Sequence, residues 1–267
     1  MSVVVVVGVG GMGEAIARRQ GAGRRLLLAD FDEVALKRVA ETLRGEGYDV
    51  TAQRVDVGDR ASVAALAGAA ADLGPVTQVA HTAGLSPVQA PVDAILRVDL
   101  AGVAYALEEF GRVIAPGGSG VVIASMAGTM AAGRLPAELE AALATTAADD
   151  LLGLPFLQAG ALPDAGAAYG IAKRANQLRV RTASRAWGAR GARVNSISPG
   201  VIATPMGRQE LSGESGAMMR SMIEASGTGR EGTAADIAAA AAFLLGPDST
   251  FITGTDLLVD GGVVAAM

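Results

Sequence analysis

Tyr169 and Lys173 stand four residues apart in Ala168-Tyr169-Gly170-Ile171-Ala172-Lys173, a run of helical composition. On a helix that spacing stacks a phenol and an ammonium on one face. A free tyrosine ionises near pH 10, but a cation beside it favours the phenolate and brings it toward the working range. Such a pair can pass protons. Short motifs of this kind also arise by chance on solvated surfaces. Against that, Lys37 and Lys173 are the only lysines in a chain otherwise supplied with arginine, and a guanidinium is never deprotonated and spreads its charge.

A second constellation opens the chain. Val3 to Val7 reads as a buried strand and runs into Gly8-Val9-Gly10-Gly11-Met12-Gly13, followed by the helix formers Glu14-Ala15-Ile16-Ala17. Gly8, Gly10 and Gly13 fit the fingerprint in which glycines make a tight turn and let backbone approach a pyrophosphate at the positive end of a helix. The next strand, Arg24 to Ala29, ends in Asp30, where an acid is expected to accept the ribose hydroxyls of NAD. The same carboxylate repels the 2′-phosphate of NADP. No basic residue directly follows it, since Phe31 and Asp32 come next.

The elements that must position these groups follow from the pattern of apolar residues. Asp32 caps a helix that runs to the glycines at 45 and 47, and Val50 to Val55 is a third strand that delivers Asp56 and Val57 to its end. Helix from Ala61 to Leu73 and strand from Thr77 to Ala80 lead to His81-Thr82-Ala83-Gly84. Helix from Pro91 to about Arg112 carries Asp99, and Pro116-Gly117-Gly118 breaks it before a strand from Gly120 to Ala124 that ends at Ser125. After the Tyr169 helix come strand Arg193 to Ser198, the loop Pro199-Gly200-Val201-Ile202-Ala203-Thr204-Pro205, a helix capped by Thr233, and a last strand from Asp256 to Val259. Strands alternating with helices predict an α/β fold: a single-domain, doubly wound parallel sheet (Rossmann-like) with helices on both faces, spanning residues 1–267.

Composition bounds the function. A net charge of -5 and a pI near 5.0 argue against nucleic acid as a partner, which requires a basic face. No apolar run approaches a membrane span. No basic residue precedes the short valine run, so it is read as a strand of a cytoplasmic protein rather than a leader. Zero cysteines exclude thiolate metal sites, and the single histidine, His81, makes a zinc or Ser-His-Asp site implausible, so no metal is expected.

The glycine turn, Asp56, Ala83-Gly84, Ser125, Tyr169 with Lys173, Asn195 and Pro199-Gly200 resemble, in order and spacing, the short-chain dehydrogenase/reductase family over essentially the whole chain. The resemblance implies that Tyr169 is the acid/base, that Lys173 lowers its pKa and holds the nicotinamide ribose, and that Ser125 binds the substrate oxygen. It implies that Asp56 and Val57 touch the adenine, that Ala83 and Gly84 lie near the cofactor, and that Pro199, Gly200, Val201 and Thr204 line the carboxamide side. This chain departs from the family in the tighter glycine turn after Val7, in His81-Thr82 where Asn-Asn is usual, and in Asp99 where an Asn usually holds a water of the proton relay. An acid at 99 still binds water but adds a negative charge. The expected activity is hydride transfer between NAD(H) and a secondary alcohol or ketone, by a homodimer or homotetramer. A non-catalytic NAD sensor and an epimerase or dehydratase are the alternatives.

A long insert, at about 128–166, separates Ser125 from Tyr169 and is similar to that of bacterial 3α-hydroxysteroid dehydrogenase/carbonyl reductases. Leu135, Leu139 and Leu143 form one apolar stripe, and Leu151, Leu152, Leu154, Phe156 and Leu157 a second group. At roughly 1.5 to 3 kcal/mol for each large side chain, they must be buried somewhere. The expectation is that an apolar helical pair walls the substrate site together with the Met-bearing segment 205–228, so that the substrate is bulky and apolar. Packing on the body or on a partner subunit is the alternative.

Overall fold

The computed structural model describes residues 1–158 and 160–267. The chain alternates strand and helix: β1 (Val3–Val7), α1 (Gly11–Gly21), β2 (Arg25–Asp30), α2 (Glu33–Gly45), β3 (Asp49–Arg54), α3 (Arg60–Leu73) and β4 (Val76–His81). Then come α4 (Val92–Ile95), a π turn (Leu96–Ala101), α5 (Gly102–Val113), β5 (Ile114–Ile123), α6 (Met126–Ala131) and α7 (Ala137–Thr145). Two 3-10 turns follow (Ala148–Gly153 and Pro155–Leu157), then α8 (Ala165–Ala189), β6 (Arg193–Pro199), α9 (Pro205–Ser212), α10 (Gly216–Ala225), α11 (Ala234–Leu245) and β7 (Asp256–Val259). The seven strands form one parallel sheet in the order β3-β2-β1-β4-β5-β6-β7.

The valine run of β1 shows why the sheet sits between two helical layers. Val3, Val5 and Val7 pack with Leu66 of α3, Phe110 of α5 and Trp187 of α8, whereas Val4 and Val6 point the other way, into Ile16 of α1, Leu43 of α2 and Leu244 of α11. Side chains alternate along a strand, so a strand apolar at every position must be covered on both faces. The chain winds outward from β1 to β3 and then returns to β4 on the other side of β1. That reversal leaves a crevice at the carboxyl ends of β1 and β4, where ligands collect in such sheets.

Asp32 caps α2 by accepting from Val34 N and Ala35 N at 2.9 and 3.1 Å, and Thr233 begins α11 with a reciprocal capping box to Asp236. Three expectations need correction. The helix from Pro91 to Arg112 is not uniform, because the π turn interrupts it around Asp99. Pro116-Gly117-Gly118 does end the helical run, but β5 already begins at Ile114. Its pairing with β4 slips between Val76↔Ile114 and Gln78↔Ser119, so the segment is a bulge in the strand.

The third correction concerns the insert. Its apolar residues build a third core rather than a substrate wall: Leu143, Ala148, Leu151 and Leu157 are buried against Ile95, Leu100, Ala168, Ala172 and Leu178. Arg174 and Arg179 of α8 fasten it, through Glu140 Oε1 at 2.7 Å and through the carbonyls of Leu143 and Thr146 at 3.1 and 2.9 Å. The second expected helix is two 3-10 turns, consistent with Pro155 interrupting it. No leucine of the insert lines the crevice beside Tyr169.

Candidate active site

The crevice holds two connected spaces. The larger is a groove of about 500 Å³ lined by Gly8, Gly10, Gly11, Met12 and Gly13 from the turn, Asp30, Asp56 and Val57 from the ends of β2 and β3, Ala83 and Gly84 after β4, and Thr204. At the turn the backbone explains the residue types. Gly8 adopts φ +92°, open to glycine at no steric cost. A Cβ at Gly13 would overlap the Gly8 carbonyl oxygen and stand 2.6 Å from Thr82 Oγ1. At Gly10, the N-cap of α1, a Cβ would meet nothing within 4 Å.

The first-turn amides of α1 have no partner within the helix and carry its positive dipole end. This open, unpartnered cradle fits a pyrophosphate. Thr82 donates to Gly8 O at 2.6 Å and so ties the end of β4 to the turn. The hydroxyl holds the loop where the family's usual residue would be an amide.

Asp30 is fixed by two backbone donors, Val9 N to Oδ2 at 2.7 Å and Asp32 N to Oδ1 at 3.0 Å. Its neighbours in the groove are Phe31 and Asp32. Arg54 lies over the Phe31 ring at 4.5 Å and meets Glu33 at 3.4 Å. Asp56 binds Gly58 N at 2.9 Å, and Arg97 reaches Asp56 at 3.5 Å across the far end of the groove.

The smaller space, about 80 Å³, is bounded by Asp99, Ser125, Tyr169, Lys173, Pro199 and Gly200, together with Gly84, Met12 and Thr204, which it shares with the groove. Of the residues assigned from the sequence to catalysis or cofactor binding, Val201 alone lies off both linings. It is buried, and its carbonyl accepts from Gly232 N at 2.9 Å. Asn195 is also structural, since its side chain joins Ile252 O and Thr255 N at 3.0 and 3.1 Å.

Long helix α8 starts at Asp164, whose carboxylate accepts from Ala167 N at 2.8 Å, and turns Tyr169 and Lys173 toward the sheet. Lys173 Nζ is 5.4 Å from the Tyr169 ring centre, 3.2 Å from Ile123 O and 3.0 Å from Asp99 Oδ2. Ser125 ends the β5 side and caps α6 by accepting from Ala127 N at 3.1 Å.

The electrostatics differ from the simple pair expected from spacing. Burial pushes the Tyr169 phenol up, and Asp99 and Glu210 add to this; Lys173 and the Ser125 hydroxyl pull down but do not prevail. Burial pulls on the Lys173 ammonium, yet Asp99 and Tyr169 outweigh it and hold its pKa above the ordinary lysine value. Beneath them His81 is buried and brought down to about 4 by burial and by Lys173, so it is neutral.

Glu210 of α9, which also lines the smaller space, went unrecognised in the sequence. Burial raises its carboxyl, against Ser86 and Lys173. Arg208-Gln209-Glu210 reads as a solvated helix face, and no signal separates Glu210 from its neighbours. Phe31, Leu85 and Arg97 also line the groove without having been singled out for it, whereas Met206 falls in the segment 205–228 expected to cover the site. Among the described residues no group of three or more His, Cys, Asp or Glu could hold a metal, and no helix is long and apolar enough to cross a membrane.

Comparison with known proteins agrees with this geometry. Residues 2–137 match the family described as short chain dehydrogenase, and residues 150–264 match one described as enoyl-(acyl carrier protein) reductase. A short-chain dehydrogenase/reductase of Alternaria brassicicola, bsc3, is 43% identical over 99% of this chain and 96% of its own. Galactitol 2-dehydrogenase (L-tagatose-forming) of Cereibacter sphaeroides is 29% identical over 96% and 92%. The crystal structure of levodione reductase superposes with a TM-score of 0.79 at 25% identity, covering 100% of this chain and 98% of that one. The similarity to steroid dehydrogenases through the insert is not among these matches. With the parallel sheet, the glycine cradle and Tyr169 beside Lys173 in place, the chain belongs to the short-chain dehydrogenase/reductase family of oxidoreductases, which interconvert alcohols and ketones.

Proposed function

We propose that this protein transfers hydride between NAD(H) and a secondary alcohol or ketone, with Tyr169 as the proton donor and acceptor. The observation that supports the reading is the smaller space, which adjoins the glycine-lined groove and is lined by Ser125, Tyr169 and Lys173 together. When bound, the nicotinamide supplies or accepts the hydride. The chain's own work is to orient and to move one proton. The Ser125 hydroxyl donates to the substrate oxygen and fixes it beside the phenol, and in reduction Tyr169 gives its proton to that oxygen. Lys173 stabilises the phenolate left behind and faces the ribose. Gly10, Gly11 and Met12 present backbone amides to the pyrophosphate, Asp56 and Val57 meet the adenine, and Ala83, Gly84, Pro199, Gly200 and Thr204 flank the nicotinamide half. A carbonyl-compound screen with NADH, read as loss of its absorbance, tests the assignment; no turnover of any ketone or alcohol would defeat it and favour a sensor.

NAD is preferred over NADP because the anchored Asp30 carboxylate meets two ribose hydroxyls with hydrogen bonds and a 2′-phosphate with like charge. Wild-type protein is expected to bind NADH at least tenfold more tightly than NADPH, a difference of about 1.4 kcal/mol. Asp30→Ala should narrow the gap in a fluorescence titration of both cofactors. Equal binding by the wild type would refute the role of Asp30.

For the substrate, Leu85, Ile202 and Met206 support an apolar body. A second reading, a polyhydroxylated substrate, is favoured by the Glu210 carboxylate in the same space and by the galactitol dehydrogenase among the relatives. Glu210→Leu decides between them: it should raise KM for polyols while sparing simple ketones if the second reading holds, and produce no such selective rise if the substrate is apolar throughout. Self-association as a dimer or tetramer is supported by Phe243 and Phe251, 43% and 102% exposed near the β7 side. Light scattering showing a monomer at micromolar concentration would contradict it.

A further inference from the structure

Asp99 is the residue that the expected chemistry explains least. It is fully buried in the π turn between α4 and α5, a distortion that occurs often at functional sites because it re-aims side chains out of the helical repeat. Its carboxylate is held at both ends. Leu85 N donates to Oδ1 at 2.8 Å, and Oδ2 lies 3.0 Å from Lys173 Nζ. Gly84 leaves room for the pair, since a Cβ there would stand 3.1 Å from Asp99 Oδ2 and 3.3 Å from Lys173 Nζ. A buried carboxylate against a buried ammonium is costly to assemble unless both are well bonded. Proton transfer by Tyr169 does not itself require an anion there.

We propose that Asp99 is a positioning residue that clamps Lys173 and cancels its charge, so that Tyr169 stays a phenol, the form that donates a proton to a carbonyl, to higher pH than it would beside an amide. The inference rests on Tyr169 being the proton donor. The charged and titratable groups around the phenol agree with it. Lys173 on α8 is the one cation. It is opposed by Asp99 from the π turn and by Glu210 from α9, while His81 at the end of β4 is neutral. Ser125 contributes a hydroxyl and no charge. Burial of the phenol, joined by the two carboxyl groups, outweighs the one ammonium, so the surroundings do not favour the phenolate. Carbonyl reduction is therefore the direction served near neutrality, and alcohol oxidation rises as the medium becomes alkaline.

The test uses the small number of tyrosines. The chain has three, Tyr48, Tyr105 and Tyr169, so the ultraviolet absorbance of phenolate followed against pH, minus the same curve for Tyr169→Phe, isolates the titration of Tyr169 without any substrate. Asp99→Asn keeps an oxygen to accept from Leu85 N but sets an amide NH2, which cannot accept, against Lys173, whose Nζ borders a space that water can enter. The midpoint should fall by about one pH unit, tenfold in proton affinity, and the acid limb of kcat/KM for alcohol oxidation should move with it. Asp99→Glu, which restores the charge, should return both toward the wild type, a recovery that a merely structural role does not demand.

Asp99→Ser makes the same measurement if the Asn variant does not fold. A midpoint that stays put shows that the carboxylate's charge does not reach the phenol. One that rises shows instead that Asp99 serves to keep Lys173 protonated. Either result overturns the proposal, as does failure of both neutral variants to fold. If the wild type turns over no alcohol or ketone, the proposed function fails while the absorbance titration still decides the part played by Asp99.

Discussion

Tyr169→Phe is expected to lower kcat for ketone reduction roughly a thousandfold, within the range of about 10² to 10⁴ that a positioned acid contributes. The substitution removes one hydroxyl and leaves the ring. The ring's packing beside Ile171 and the insert core is kept, as is the Lys173 ammonium 5.4 Å from its centre. Fold and cofactor groove should therefore survive, and NADH affinity should change by no more than a few-fold. A loss in kcat without a matching loss in binding is the mark of an interaction made in the transition state. Stopped-flow turnover together with a cofactor titration checks both halves. If the variant keeps most of its kcat, another group donates the proton, and Glu210 would be the first to examine.

The second large effect separates two glycines three residues apart. Gly13→Ala should cost about 1 to 3 kcal/mol of stability, because the new methyl would press on the Gly8 carbonyl and on Thr82 Oγ1 and so push α1 away from the end of β4. Cofactor affinity should fall with it, since the cradle itself is displaced. At Gly10, by contrast, the methyl meets no protein atom within 4 Å, so Gly10→Ala should shift stability by less than about 0.5 kcal/mol. It should nevertheless weaken NADH at least roughly tenfold, or about 1.4 kcal/mol, because the methyl occupies the space assigned to the pyrophosphate. Thermal melts with and without NADH measure both. An unchanged affinity in Gly10→Ala would mean that the pyrophosphate takes another path.

Much of this molecule was legible because local pattern and global architecture agree. The valines of β1, apolar at every position, could only be a doubly covered strand, and Asp30, Asp56 and Ser125 each fall where a strand must end. What escaped depends on distance in sequence. The resemblance put an added negative charge at 99 near the relay, but Asp99 and Lys173 are far apart along the chain, and nothing local says that the two pair directly or that burial pushes the phenol up. The π turn was invisible because the apolar spacing of the Pro91 to Arg112 run admits an ordinary helix. For the insert, the demand for burial is met by Leu143, Leu151 and Leu157, while Leu135 and Leu139 stay half-buried, and the spacing carried no information on the partner. The body of the domain took it, and the substrate space did not.

That third core gives the chain an unusual division of labour. In a barrier-crossing catalyst the acid must be stiff and the covering segment compliant, and one stretch of polypeptide cannot be optimised for both. Here the leucines of the insert pack on α8, which carries the proposed acid Tyr169, while α9 supplies Met206 and Glu210 to the smaller space. The two segments can therefore drift or be redesigned independently. Changes of taste for substrate can accumulate in α9 without loosening the helix that carries the proposed acid.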